Sequence, residues 1–116
     1  MKKISILLIA TTALFVACTS KKTATSVASI IPTEIQLKAI QLKYPNVTMQ
    51  NLLNGHEIYT GVCTNCHGQQ NIYNRSEASW KHEIDDMAPR SNINDVQKDE
   101  LYKYILAMKT AQIEKK

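Results

Sequence analysis

Five consecutive residues, Cys63-Thr64-Asn65-Cys66-His67, restrict the fold and chemistry of this 116-residue chain more than any other stretch. Two thiols three positions apart fall on one side of a helical turn, and the next residue adds an imidazole. Three chemistries use such a pair. A thioredoxin-like dithiol sits at the N-terminus of a helix that follows a β-strand, whereas residues 52–62 read as helix. A structural zinc site would take both thiols with His67 and one of His56 or His82. Such sites normally bring a second ligand pair at its own short spacing, and the sequence has none. The third chemistry is covalent attachment of one c-type haem. The two thiols add to its two vinyl groups and the adjacent histidine offers a ring nitrogen to iron.

The N-terminus bears on the compartment. Met1-Lys2-Lys3 is a short basic start, and residues 4–17 form an apolar run broken only by Ser5, Thr11 and Thr12. A basic segment, an apolar segment and small residues before a cut are the pattern of a secretory signal peptide. The run is shorter than the roughly 20 apolar residues that span a bilayer. It ends Leu14-Phe15-Val16-Ala17-Cys18, which resembles a bacterial lipobox, with Phe15 where that motif usually has leucine. The resemblance implies that Cys18 becomes the lipidated first residue of the mature protein. More than one acyl chain suffices for stable anchoring.

The chain has three cysteines. One lipid anchor and two haem thioethers use all of them, leaving no thiol for a disulfide in an oxidising compartment. Cleavage before Cys18 removes 17 of 116 residues and leaves 99; losing Lys2 and Lys3 takes the formal charge from +4 to +2. The pI near 9.0 is therefore no nucleic-acid signal, and no aromatic residues interleave with a basic face.

After the anchor, residues 19–29 are rich in Ser, Thr, Ala and Lys and read as a flexible tether. Residues 33–44 read as a helix. Thr33 and Gln36 form a capping box, Ile35, Ala39 and Leu42 an apolar stripe, and Pro45 ends it. Thr48 caps a second helix over 49–62, with Leu52, Gly55, Tyr59 and Val62 on one face. A helical glycine costs about 1 kcal/mol relative to alanine and marks close approach of another element. Residues 68–75 are a polar loop in which Ile72 and Tyr73 are placed to cover an edge of the site. Ser76 caps a short helix to about residue 85, aligning Trp80, Ile84 and Met87 on one face. His82 lies about 200° round from Trp80 and points away. Asn94 and Gln97 open a last helix over 95–109, whose apolar face is Leu101, Tyr104, Ile105 and Met108.

Residues 48–109 resemble a small class I cytochrome c domain, a little over half the chain. The resemblance rests on the Cys63–His67 motif, on Gly55 with Tyr59 in the first domain helix, and on Leu101, Tyr104 and Ile105 in the last. It also rests on residues 80–89, which resemble the Trp–Ile–Met-Ala-Pro run of some small bacterial periplasmic cytochromes. It implies that Tyr104 packs on Gly55, that His67 is the proximal iron ligand, and that Met87, 20 residues later, is the distal ligand delivered from an irregular loop. Met49 and Met108 read as gap-filling core residues. Tyr59, Trp80 and Ile84 are further expected haem contacts, and Arg75 and Arg90 candidates to pair with its propionates.

The expected architecture is all-α: a small cytochrome c fold of three to five helices around one covalent haem, preceded by one extra helix. The parts are a signal peptide (1–17), lipidated cysteine and tether (18–30), extra helix (31–45), haem domain (46–110) and tail (111–116). A domain of about 65 residues builds a poor core alone, and a covalent macrocycle would act as its staple. The expected function is single-electron transfer by a carrier, not an enzyme, lipid-anchored in the bacterial cell envelope and facing the periplasm. Its expected partners are the membrane and redox proteins, with no nucleic acid, and it acts as a monomer or as a subunit of a membrane redox complex. The alternative is a haem-based gas sensor or haem enzyme subunit with a vacant or displaceable sixth position, filled by Met87, His56, His82 or nothing.

Overall fold

The computed structural model describes residues 30–113; the expected signal peptide, Cys18, the tether residues 19–29, Lys115 and Lys116 lie outside them. Four α-helices and two 3₁₀ turns make up the described chain, and no strand occurs among those residues. They are α1 (Glu34–Gln41), α2 (Met49–Thr60), α3 (Glu77–Met87) and α4 (Asp95–Ile113), with single turns at Val62–Thr64 and Ile72–Asn74. The all-helical class agrees with the sequence expectation. None of these helices is long and apolar enough to cross a membrane.

Each helix starts at its expected cap. Thr33 and Gln36 close a capping box at α1, and Thr48 closes one with Asn51 at α2. At α3 the Ser79 N–H donates to Ser76 Oγ at 3.1 Å. At α4 the Asn94 N–H donates to Gln97 Oε1 at 2.9 Å and the Gln97 N–H to Asn94 Oδ1 at 3.0 Å. These bonds satisfy N–H groups that have no partner within a helix, each contributing about 1 kcal/mol.

The other three helices all pack on α4. One side of α4, Leu101, Tyr104, Ile105 and Met108, joins Ile58, Tyr59, Ile72, Trp80 and Ile84 in the larger core cluster. A second side, Leu106 and Ala107, joins Ile40, Val47 and Leu52. At the crossing of α2 and α4 a Cβ on Gly55 would lie 2.3 Å from the Glu100 carbonyl oxygen and 2.6 Å from Tyr104 Cβ. Only glycine permits this approach, as the expected Gly55–Tyr104 contact requires. The Glu100 side chain, 8% exposed, accepts hydrogen bonds from Asn51 Nδ2 (3.1 Å) and Asn54 Nδ2 (2.8 Å) across the same crossing.

Several expectations are corrected. Only Ala39 of the expected α1 stripe is buried: Ile35 is 52% and Leu42 82% exposed, and Ile40, outside the stripe, is buried instead. Small Ala39 lets α1 approach closely, and Ile40 fills the space between Val47 and Leu106. The helix also stops at Gln41, three residues short of Tyr44. Helix α2 ends at Thr60 because Gly61 leaves the helical region (φ −104°, ψ −90°), so Val62 belongs to the following turn. Helix α4 runs on to Ile113, with Ala111 buried, since no Gly or Pro interrupts it.

The end of α3 differs most. Met87 is its last residue and not part of an irregular loop; Ala88 keeps a helical backbone (φ −55°, ψ −47°) despite preceding Pro89. The chain reverses four residues after Ala88. Asn92 takes φ 53°, and the Ile93 N–H returns to the Ala88 carbonyl at 3.2 Å. Asparagine tolerates this left-handed region, and a β-branched residue does not. Asn92→Gly is therefore expected to hold the wild-type unfolding midpoint. Asn92→Val is expected to lose about 1–3 kcal/mol in urea denaturation, the usual cost of such backbone strain. Equal midpoints for the two variants would show that the turn is not strained.

Candidate functional site

Helices α2, α3 and α4 enclose an apolar cleft with the Cys63–His67 segment at one edge. Its walls are Tyr59 from α2, Trp80, Ile84 and Met87 from α3, and Leu101 and Ile105 from α4; Cys63 and His67 border it. Its enclosed space is small, about 40 Å³. Residues scattered over some forty positions of sequence thus face one space.

Hydrogen bonds to loop carbonyls fix the walls. Trp80 Nε1 donates to the Ile72 carbonyl at 2.8 Å, and the Tyr59 hydroxyl donates to the Gln70 carbonyl. The middle of the polar loop is thereby tied to two buried aromatic rings. Those rings meet edge to face, with centroids 6.4 Å apart, a favoured arrangement for aromatic pairs. Burial pushes the Tyr59 hydroxyl above its ordinary range, which keeps it neutral. Burial likewise pushes up the half-buried Cys63 thiol, so it remains protonated at neutral pH.

The motif follows the C-terminus of α2, unlike a thioredoxin-type pair at a helix N-terminus. The 3₁₀ turn holds Cys63 at the cleft and ends at Thr64. Cys66 and His67 are exposed; His67 borders the cleft, whereas Cys66 does not. His67 Nδ1 lies 3.1 Å from the Gly68 carbonyl oxygen, which also accepts Gln70 Nε2 at 3.3 Å. Gln70 Nε2 lies 3.3 Å from the same Nδ1. The carbonyl suits a protonated Nδ1, which leaves the Nε2 lone pair free, whereas the Gln70 amide suits an unprotonated one.

Neither rival histidine lines the cleft. His82 is exposed on α3, and the His56 ring packs against Tyr104, centroids 5.6 Å apart. Of the candidate donors, the cleft gathers Cys63, His67 and Met87. Among the described residues, no three His, Cys, Asp or Glu side chains form a group able to hold a metal ion. Arg75 pairs with Glu83 at 3.1 Å and lies over the Trp80 ring at 5.7 Å, one ion pair away from the cleft that Glu83 borders. Arg90 is 68% exposed and reaches only Asp86, at 3.4 Å.

Sequence reasoning placed Leu101 and Ile105 in the core without assigning them to the site. Their spacing of four beside Tyr104 was the signal. Gln69, Gln70, Ser91 and Ile93 complete the rim, and only the turn at Asn92 brings the last two there. No model of a known protein family, no curated protein and no solved structure matches the chain.

Proposed function

We propose that the chain is a lipid-anchored c-type cytochrome of the bacterial cell envelope that transfers single electrons through one covalently attached haem. The convergence of Cys63, His67 and Met87 on one apolar cleft carries this reading. The donor set fits the group. Imidazole and thioether are established axial ligands of haem iron, and thiols at this spacing form its covalent links. The walls fit as well, because Tyr59, Trp80, Ile84, Leu101 and Ile105 offer aromatic and aliphatic faces to a flat apolar macrocycle. A tetrahedral zinc site needs four donors, and among the described residues the His, Cys, Asp and Glu side chains do not converge to supply them.

Bound haem would supply a one-electron ferric–ferrous couple. Cys63 and Cys66 would hold it as thioethers, each S–H adding across one vinyl double bond. His67 would bind the iron through Nε2, with Nδ1 against the Gly68 carbonyl. Met87 would hold it from α3, and a thioether donor raises the reduction potential relative to an imidazole in its place. Iron held by both residues would have no position for a substrate, which favours a carrier. The acylated Cys18 confines the domain to a membrane surface and raises its effective concentration near membrane redox partners.

The test is the absorption spectrum of protein made with a c-type maturation system, oxidised and reduced, with and without carbon monoxide. The expected spectrum is low-spin, with the weak far-red band of methionine–iron ligation and slow or no uptake of carbon monoxide. A high-spin ferrous form that takes carbon monoxide at once would favour the sensor or enzyme-subunit reading. Absence of covalent haem overturns the proposal and returns the two thiols to zinc or dithiol chemistry.

A further inference from the structure

The described residues leave four large apolar side chains exposed, and three of them cluster at α1: Ile31 at 56%, Ile35 at 52% and Leu42 at 82%. Single exposed apolar residues are ordinary, but several on one side of one element mark a contact surface. Ile35, Lys38 and Leu42 are spaced i, i+3 and i+7, and Leu42 still has helical backbone (φ −60°, ψ −33°). They share one stripe, opposite Ile40, which α1 buries against α4; buried Ala39 lies at the edge of the stripe. Exposed Lys38 lies within it, and Lys43 beyond the helix end pairs with Glu77 at 3.5 Å. Exposed Glu34 is the acidic residue of the first turn.

We infer that this face of α1 lies on the surface of a phospholipid bilayer, with Ile31, Ile35 and Leu42 at the acyl boundary and Lys38 at the level of the headgroups. The inference rests on the lipid-anchor reading of Cys18. Only 12 residues lie between Cys18 and Ile31. A chain of that length spans at most about 45 Å. Helix α1 is thus the element held closest to the membrane. Its apolar stripe with a central lysine suits an interfacial helix, because lysine lays its stem along apolar surface and keeps its ammonium at the headgroups. The orientation also has a functional consequence. Helix α1 is seated on the Leu106 and Ala107 side of α4, whereas the cleft uses the Leu101 and Ile105 side. A molecule resting on α1 keeps its cleft open to a partner.

The test is hydrogen exchange on the haem-loaded, acylated mature protein bound to vesicles of phosphatidylcholine with a minor share of phosphatidylglycerol. The reference is the haem-loaded Cys18→Ser protein in solution. Amides of residues 34–42 are expected to exchange about tenfold or more slowly on the vesicles, with those of α4 unchanged as the internal control. The Ile35→Gln/Leu42→Gln variant, altered only at exposed positions, is expected to lose this protection while its lipid keeps it on the vesicles. Intact mass separates the two readings. A mass without acyl chains overturns the anchor reading and this inference with it. Acylated, vesicle-bound protein whose α1 exchanges at the solution rate overturns the inference alone. Protection already present in solution also overturns it. If that protection grows with protein concentration the occupant is a second copy, and if the mass retains residues 1–17 it is the leader.

Discussion

Gly55→Val is expected to abolish the folded state. A Cβ at this position would stand 2.3 Å from the Glu100 carbonyl oxygen, 2.6 Å from Tyr104 Cβ and 2.9 Å from the Glu100 carbonyl carbon. Two of these atoms are backbone of α4, so no rotamer change relieves the clash and the helices must separate. Separation is costly here because α4 is the element on which α1, α2 and α3 all pack. It would also lengthen the bonds from Asn51 and Asn54 to the buried Glu100 carboxylate, leaving a carboxylate poorly partnered. Overpacking typically costs 1–3 kcal/mol and more when backbone must move, whereas replacing a helical glycine by alanine returns only about 1 kcal/mol. Gly55→Ala should therefore lose about 2 kcal/mol net, a fall of roughly 8–16 °C in midpoint for a domain of this size. Valine adds two more atoms and a β-branched penalty, which together approach the few kcal/mol that a small core supplies. Thermal melts followed by circular dichroism decide it. A Gly55→Val protein with a wild-type midpoint would mean that α2 and α4 do not cross at this glycine.

What the sequence made legible was mostly short-range. Thr33, Thr48, Ser76 and Asn94 cap the helices because the bond each makes depends on residues two or three positions away. Gly55 was legible by another route, since a glycine within a helical period has few uses other than close approach; its partner Tyr104 came from the cytochrome resemblance. The losses were long-range. The apolar stripe of α1 held Ile35, Ala39 and Leu42, but packing buries only Ala39 of these, together with the Ile40 that fits Val47, Leu52 and Leu106. Those partners lie up to 66 positions away, and no periodicity within α1 encodes them. Nothing local marks Glu100 as buried, because its partners Asn51 and Asn54 are 49 and 46 residues distant. Met87 was expected in an irregular loop, yet it closes α3, and the chain turns later, at the positive φ of Asn92. Of the site, the motif and Met87 were visible as residue types. That Cys63, His67 and Met87 border the same cleft, and that His56 and His82 do not, depends on how α2 and α3 settle against α4.

Met87→Leu is expected to change the haem spectrum more than any other single substitution outside the Cys63–His67 motif. Leucine keeps most of the volume of methionine, so the half-buried end of α3 should lose less than about 1.5 kcal/mol and the helix should remain. The sulfur goes, and with it the only thioether among the residues lining the cleft. The expected protein still carries covalent haem through Cys63 and Cys66, lacks the weak far-red band, and takes carbon monoxide in its ferrous form at once. Met87→His should instead stay low-spin without that band. Its reduction potential should fall by something on the order of 0.1–0.3 V, within the roughly 0.8 V that axial ligands span. The contrast between the two variants matters, because a residue that only filled space would respond to volume and not to donor chemistry. If both keep the wild-type band, Met87 is part of the wall and the ligand lies elsewhere. His82→Ala and His56→Ala then become the deciding variants. The structure argues against that outcome: His82 is exposed on α3, and His56 is engaged with the Tyr104 ring, and neither lines the cleft. His82 could reach it only by rotation of α3, which would expose the Trp80 and Ile84 face that the helix now buries.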